Sequence, residues 1–271
     1  MPRARRSGRN YAPAVSWGTR AAALALACTS LVLTLAGCTG VPPRPHATVT
    51  VAPATRSTPP ESPTPTPSPT FDRSARSIDD PLSLWVVVDK LRPLQPNTFV
   101  PPDLVPVKVA HTNPPVLRRS AARAVESLFA AAAAAHLPLA SNSAYRPYSD
   151  QQRIYASDTA HLGKAGADRL TARPGFSEHQ TGLAIDIGTA SGRCDLNACF
   201  GRTPEGKWLV QNAWRYGFVL RYPKDQEPVT GIEYEPWHFR YIGKMLALEL
   251  HQTHTETLER FFGLPPAPDY R

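Results

Sequence analysis

Proline sets the first limit on what this chain can fold into. It holds 30 prolines in 271 residues. From Thr39 to about Asp80 they alternate with threonine and serine, and the stretch contains the run Pro63-Thr64-Pro65-Thr66-Pro67-Ser68-Pro69. With few large apolar side chains, such a segment cannot bury enough surface to offset the entropy of ordering it. It reads as an extended, polyproline-like tether rising about 3.1 Å per residue. A plain spacer is the simplest role, although its threonines and serines are candidate glycosylation sites. The fold must therefore come from about Pro81 to Arg271, a stretch of ordinary single-domain size with no internal repeat.

The residues before the tether read as an export signal. Arg3, Arg5, Arg6, Arg9 and Arg20 precede an apolar run from Ala21 to Ala36, which is short for a permanent membrane span. The run ends in Leu35-Ala36-Gly37-Cys38, which resembles the bacterial lipobox. Cleavage after Gly37 would make Cys38 a lipidated N-terminus, anchored to the outer face of the plasma membrane. A cleaved signal with a chance cysteine and an uncleaved anchor are the alternatives. The domain plan is thus residues 1–37 as signal, 38–80 as lipidated cysteine and tether, and 81–271 as the folded domain. The formal charge of +8 falls to +3 on cleavage, because residues 1–37 carry five of the arginines and no acid. That balance gives no case for a nucleic-acid partner. Of the four cysteines, only Cys194 and Cys199 remain in the domain. An exported pair five apart is expected to form a disulfide, with a second metal site as the rival reading.

Within the domain, Leu84–Val88 reads as a strand and the alanine-rich stretch from Leu117 to His136 as a helix. A strand is expected from Leu137 to Ala144, then a helix capped near Ser149. Trp208–Tyr216 and Lys244–Gln252 read as helices, and Phe218–Tyr222 and Trp237–Tyr241 as strands. The pattern predicts an α+β domain, a small antiparallel sheet flanked by helices.

Two stretches carry the chemistry. In Ser177-Glu178-His179-Gln180-Thr181-Gly182-Leu183-Ala184-Ile185-Asp186, the alternation of Leu183, Ile185 and Ile187 with Ala184 and Asp186 predicts a half-buried strand with Asp186 away from the apolar face. Gly182 permits an unusual turn before it. In Glu235-Pro236-Trp237-His238, proline rules out a helical ligand pair. Residues three apart on a regular strand face opposite ways, so Glu235 and His238 can converge only if the chain bends at Pro236. His179, Asp186 and His238 with an adjacent glutamate form the inventory of a three-ligand zinc site, in which one position stays open.

The motif S-x-H-x-x-G-x-A-x-D followed by E-x-W-H resembles the VanY-like zinc D-alanyl-D-alanine carboxypeptidases. Ser143-Ala144-Tyr145-Arg146-Pro147-Tyr148-Ser149-Asp150-Gln151 is similar to that family's S-G-Y-R-S-Y-x-x-Q segment. Trp214 to Pro223 resembles its Y-G-F-x-x-R-Y-P segment, and Thr230-Gly231-Ile232 precedes the glutamate as it does there. The resemblance runs from about Trp85 to Gly243, with Ala144 and Pro147 as departures. It implies a hedgehog/LAS-type zinc D-Ala-D-Ala carboxypeptidase-like fold, one Zn2+ per chain, and peptidoglycan stem peptides as substrate.

On this reading Glu235 is the general base. Arg146 either stabilises the oxyanion or grips the substrate's terminal carboxylate. Ser177 and Gln151 match substrate-facing positions, while Tyr145 and Trp237 shape the pocket. Arg221 supports the fold, Asp195 is a loop acid, and Glu233 would share a strand face with Glu235. The histidines at 46, 111, 136, 161, 251 and 254 read as structural or solvated, including the pair near Glu256. The expected activity is D,D-carboxypeptidase, by a chain taken as a monomer. A D,D-dipeptidase or peptidoglycan endopeptidase and a non-catalytic wall-binding module are the alternatives.

Overall fold

The computed structural model of the protein describes residues 71–271. The expected signal, Cys38 and the tether as far as residue 70 lie outside them. Within residues 71–80, assigned to the tether by composition, Phe71 and Ile78 pack on the domain. Phe71 stacks on Trp85 at 5.6 Å and meets Phe261 edge-on at 5.8 Å.

A small hairpin, β1 (Leu104–Pro106) and β2 (Val116–Arg118), leads into α1 (Arg119–Ala134). The helix expected from Leu117 therefore starts two residues later, its first residues being taken up by β2. The alanines do not make this helix featureless. Ala121, Val125, Leu128 and Ala132 recur at helical spacing and are fully buried, forming the apolar stripe that packs on the sheet.

The main sheet has four antiparallel strands in the order β3 (Leu139–Ser143), β4 (Ala184–Thr189), β6 (His238–Tyr241) and β5 (Phe218–Leu220). Central β4 carries the expected alternation. Leu183, Ile185 and Ile187 enter the core, but Ala184 and Asp186 are also buried, so neither face is wet. Between β3 and β4 in sequence lies α2 (Tyr148–Leu170), broken at Gly163 with φ 71°. It begins at Tyr148 after Pro147, so exposed Ser149 is not its cap. The helix expected over Trp208–Tyr216 is α3 (Pro204–Asn212) followed by a 3-10 turn, Ala213–Tyr216. The short α4 (Glu227–Thr230), then α5 (Lys244–Gln252) and α6 (Leu258–Phe262), complete the chain.

Leu84–Val88 is not a strand. Its side chains do alternate, with Val86 and Val88 in the main core and Trp85 and Val87 in a second cluster with Leu246, Leu250 and Phe261. Its carbonyls, however, face no neighbouring strand. Those of Leu84 and Val86 accept from Arg240, and that of Val88 from Arg221. A continuous apolar run is buried on both sides here without being a strand; arginines take the place of a ladder partner.

The chain enters β4 through a 3-10 turn, Glu178–Thr181, closed by Gly182 at φ 66°. A Cβ there would lie 2.9 Å from Leu104 Cδ2 and 3.0 Å from Arg118 Cγ. Both the left-handed torsion and the close neighbours demand glycine. Gly182→Ala is expected to lower stability by about 1–3 kcal/mol, read as a lower urea midpoint at unchanged slope.

Candidate metal centre and catalytic cleft

Strand register brings the expected ligands together. Asp186 on β4 is directly opposite His238 on β6, and directly opposed residues share a sheet face. The 3-10 turn before β4 adds His179, whose ring lies 4.9 Å from that of His238, nearly perpendicular to it. One donor atom from each of His179, Asp186 and His238 lies within 4.8 Å of the others.

Hydrogen bonding selects which ring nitrogens face inward. His179 Nδ1 is 2.7 Å from the Ala144 carbonyl, so its Nε2 is left toward Asp186 Oδ2 at 3.3 Å. His238 does the converse. Its Nε2 faces Glu178 at 3.4 Å, and its Nδ1 lies 3.3 Å from Asp186 Oδ1 and 3.5 Å from Glu235. Although that close, Asp186 Oδ1 is buried and accepts no hydrogen bond. A buried carboxylate oxygen left without a donor, between two imidazole nitrogens whose far sides are already engaged, fits a divalent cation. Two nitrogens and one carboxylate suit zinc, and the three-ligand set leaves a coordination position for solvent or substrate.

Glu235 lies beside this set because the chain bends as Pro236 suggested, the His238 amide donating back to the Glu235 carbonyl. Residues 233–235 do not form a strand, so Glu233 shares no strand face with Glu235 and pairs instead with Arg169 at 2.8 Å. About 13% of the Glu235 side chain remains exposed, as a base facing a cleft requires. Burial, reinforced by the charges of Asp186 and Glu178 against those of His238 and Arg146, pushes its carboxyl up to about 8. Burial opposes protonation of His238, but the neighbouring carboxylates of Asp186 and Glu178 outweigh it and raise the imidazole to about 9. Burial lowers His179, and Asp186 is held ionised against its own burial by the two histidines.

These groups form one wall of a cleft of about 450 Å³ that also takes in Arg146, Ser177 and Trp237. Arg146 comes from the segment after β3. It donates to Ser143 Oγ and Gln151 Oε1, each at 3.0 Å. Gln151 is almost fully buried and its amide donates to the Ala172 carbonyl, so what it visibly does is orient Arg146. Tyr145 lines an adjoining cavity that shares Arg146 and Ile154 with the cleft. Cys194 and Cys199 are disulfide-bonded. Asp195 in their loop accepts from the Thr189 amide, as a loop acid would. His251 stacks on Trp214 at 4.0 Å, and neither it nor His254 joins the metal cluster.

Sequence reasoning missed Glu178. This residue of the histidine motif is buried beneath the site, with Oε1 accepting from Arg221 at 2.9 Å and Arg240 at 2.8 Å. Burial disfavours its charge, but the two guanidiniums hold its carboxyl far below the usual range. Arg221 also engages Glu259. The available signal was a pair of arginines, Arg221 just after β5 and Arg240 within β6, in segments that also carry the core residues Phe218 and Phe239.

The family model described as VanY, D-alanyl-D-alanine carboxypeptidase, matches residues 115–244. The Bacillus subtilis (strain 168) protein YodJ, named as a carboxypeptidase, is 40% identical over 191 residues, covering 69% of each chain. The solved LdcB LD-carboxypeptidase is 40% identical over 68% of this chain and 87% of its own, with a TM-score of 0.63. A VanY D,D-pentapeptidase from a VanB-type vancomycin resistance cassette, solved with Zn(II), is 30% identical over 66% of this chain and 98% of its own, with a TM-score of 0.56.

Two outcomes follow for metal binding. Since His238 must shed its proton to ligate, apparent zinc affinity should rise about tenfold per pH unit through the neutral range and level off above about 9. A flat profile in chelator-competition titrations would contradict this. Glu178→Gln should weaken zinc about 10- to 100-fold and cost about 3–5 kcal/mol of stability by leaving two buried cations undercompensated, measured by the same titration and by urea unfolding.

Proposed function

The chain belongs to the VanY family of D-alanyl-D-alanine carboxypeptidases, and from that premise we propose that it hydrolyses the terminal D-Ala-D-Ala bond of peptidoglycan stem peptides, with Glu235 as general base. It is a carboxypeptidase of the zinc metallopeptidase type. The observation that carries the finer reading is Glu235, 3.5 Å from His238 Nδ1 at the edge of the three-ligand set and facing the cleft.

His179 Nε2, Asp186 and His238 Nδ1 would hold the ion. When bound, a zinc ion supplies Lewis acidity, polarising the scissile carbonyl and making water nucleophilic at neutral pH. The protein does the rest. A nearby dication favours the ionised form of Glu235, which burial alone disfavours, so the carboxylate can accept the water proton and deliver it to the departing amine. Arg146 presents planar donors into the cleft while Ser143 and Gln151 fix its orientation. It is placed to stabilise the oxyanion or to hold the terminal carboxylate. Ser177 and Trp237 line the same space and are assigned to the substrate.

The likeness to the LdcB LD-carboxypeptidase, at higher identity than to the D,D-pentapeptidase, favours one second reading. In it, the same machinery removes a terminal D-residue from an L,D bond. The N-terminal segment adds a place of action, the outer face of the plasma membrane through lipid on Cys38, which rests on the lipobox resemblance alone.

Mass spectrometry of products from a stem pentapeptide and a stem tetrapeptide separates these readings. Loss of one alanine from the pentapeptide alone supports the D,D reading, and loss only from the tetrapeptide supports the L,D one. Glu235→Ala should bind zinc with turnover reduced at least about 100-fold, whereas His238→Ala should lose both. Undiminished turnover by Glu235→Ala would remove it as the base.

A further inference from the structure

The cleft has a second wall that the metal chemistry does not use. Ile154, Asp158 and Leu162 are four residues apart on the first half of α2, so they stack along one helical face. All three line the cleft. The break at Gly163 separates the two halves of α2, and Leu170 and Thr171 at its end line the same cleft. Thr171 Oγ1 there donates to Asp158 Oδ2 at 2.5 Å. Leu196, from the disulfide-bonded loop, completes the rim.

Two features set this wall apart. Among the described residues, four of the nine large apolar side chains left exposed, Ile154, Leu162, Leu170 and Leu196, lie on this one cleft, at 37%, 50%, 44% and 51% exposure. Asp158 is half-buried among them with one carboxylate oxygen satisfied by Thr171. No cation pairs with it among the described residues. The other carboxylates of the cleft are committed: Asp186 to the ligand set, Glu235 beside His238, and Glu178 to two arginines. An unpaired carboxylate flanked by aliphatic side chains one helical turn away on each side is complementary to an unbranched aliphatic chain ending in an ammonium, whose methylenes lie on the apolar surface while the charge meets the acid.

We propose that Asp158 is a specificity-determining residue that selects stem peptides carrying an aliphatic ammonium side chain upstream of the scissile bond. The assignment rests on the carboxypeptidase reading in one respect: the terminal residue there is a small alanine, so a long side chain on this wall belongs to an upstream residue. Ile154 and Leu162 hold the methylenes, and Thr171 keeps one Asp158 oxygen engaged so that the other is presented to the ammonium.

The test uses the zinc-loaded full-length protein and three pentapeptides that differ only at the third residue, which is lysine, norleucine or the carboxylate-ended 2-aminoadipic acid. Calorimetric affinity is measured in the Glu235→Ala chain, where binding is separated from turnover. Lysine should bind about fivefold more tightly than norleucine, and the carboxylate peptide should bind least well. Adding Asp158→Asn, which still accepts from Thr171, should equalise lysine and norleucine without changing zinc affinity. The order among the three peptides on the unsubstituted wall needs no variant to fold. A lysine preference that survives Asp158→Asn, or no preference in the parent, overturns the proposal. Turnover by the chain with Glu235 intact is read separately. An Asp158-dependent binding preference without release of alanine would uphold the selectivity assignment and sink the carboxypeptidase reading.

Discussion

A single buried carboxylate, that of Glu178, sits where the fold and the metal site meet. One oxygen takes both Arg221 and Arg240, and the other faces His238 Nε2. Those arginines reach further, to the Leu84, Val86 and Val88 carbonyls and to Glu259 on α6. Charges removed from water this completely are tolerated only when paired and hydrogen-bonded, so each member makes the others affordable. The consequence for chemistry is orientational. With Nε2 committed to Glu178, His238 would offer Nδ1 to a metal, while His179, with Nδ1 committed to the Ala144 carbonyl, would offer Nε2. The two rings would then bind as different tautomers because their supports differ.

The network also joins parts of the chain that the family model does not span. Residues 115–244 match it, yet Val86, Val88 and Glu259 lie outside that range and complete the burial of Arg221 and Arg240. The segments flanking the matched region are thus part of the site's support, and Phe71 stacked on Trp85 extends that support to the start of the described residues.

Much of this was legible in the sequence, and the exceptions have physical causes. Asp186 and His238 announced themselves because strand alternation and a proline-forced bend leave few ways to place them. The antiparallel sheet, α5 and the Cys194–Cys199 pair followed from local pattern. Leu84–Val88 was misread because a continuous apolar run reports burial, whereas a strand needs a ladder, and arginine donors satisfied these carbonyls instead. Glu178 was missed for a related reason: nothing local in an acidic residue beside a histidine reveals two arginines that are 43 and 62 positions away. Gln151 matched a substrate-facing position by family likeness and does line the cleft, but its bond to Arg146 depends on packing that no motif records.

The most direct test of the three-ligand centre is X-ray absorption at the zinc edge of the purified, zinc-loaded protein, with metal content per chain measured alongside. One zinc per chain is expected, with two imidazole nitrogens and oxygen donors at about 2.0–2.2 Å and no sulfur. Sulfur scattering near about 2.3 Å, a third imidazole, or a stoichiometry far from one would contradict a centre built from His179, Asp186 and His238.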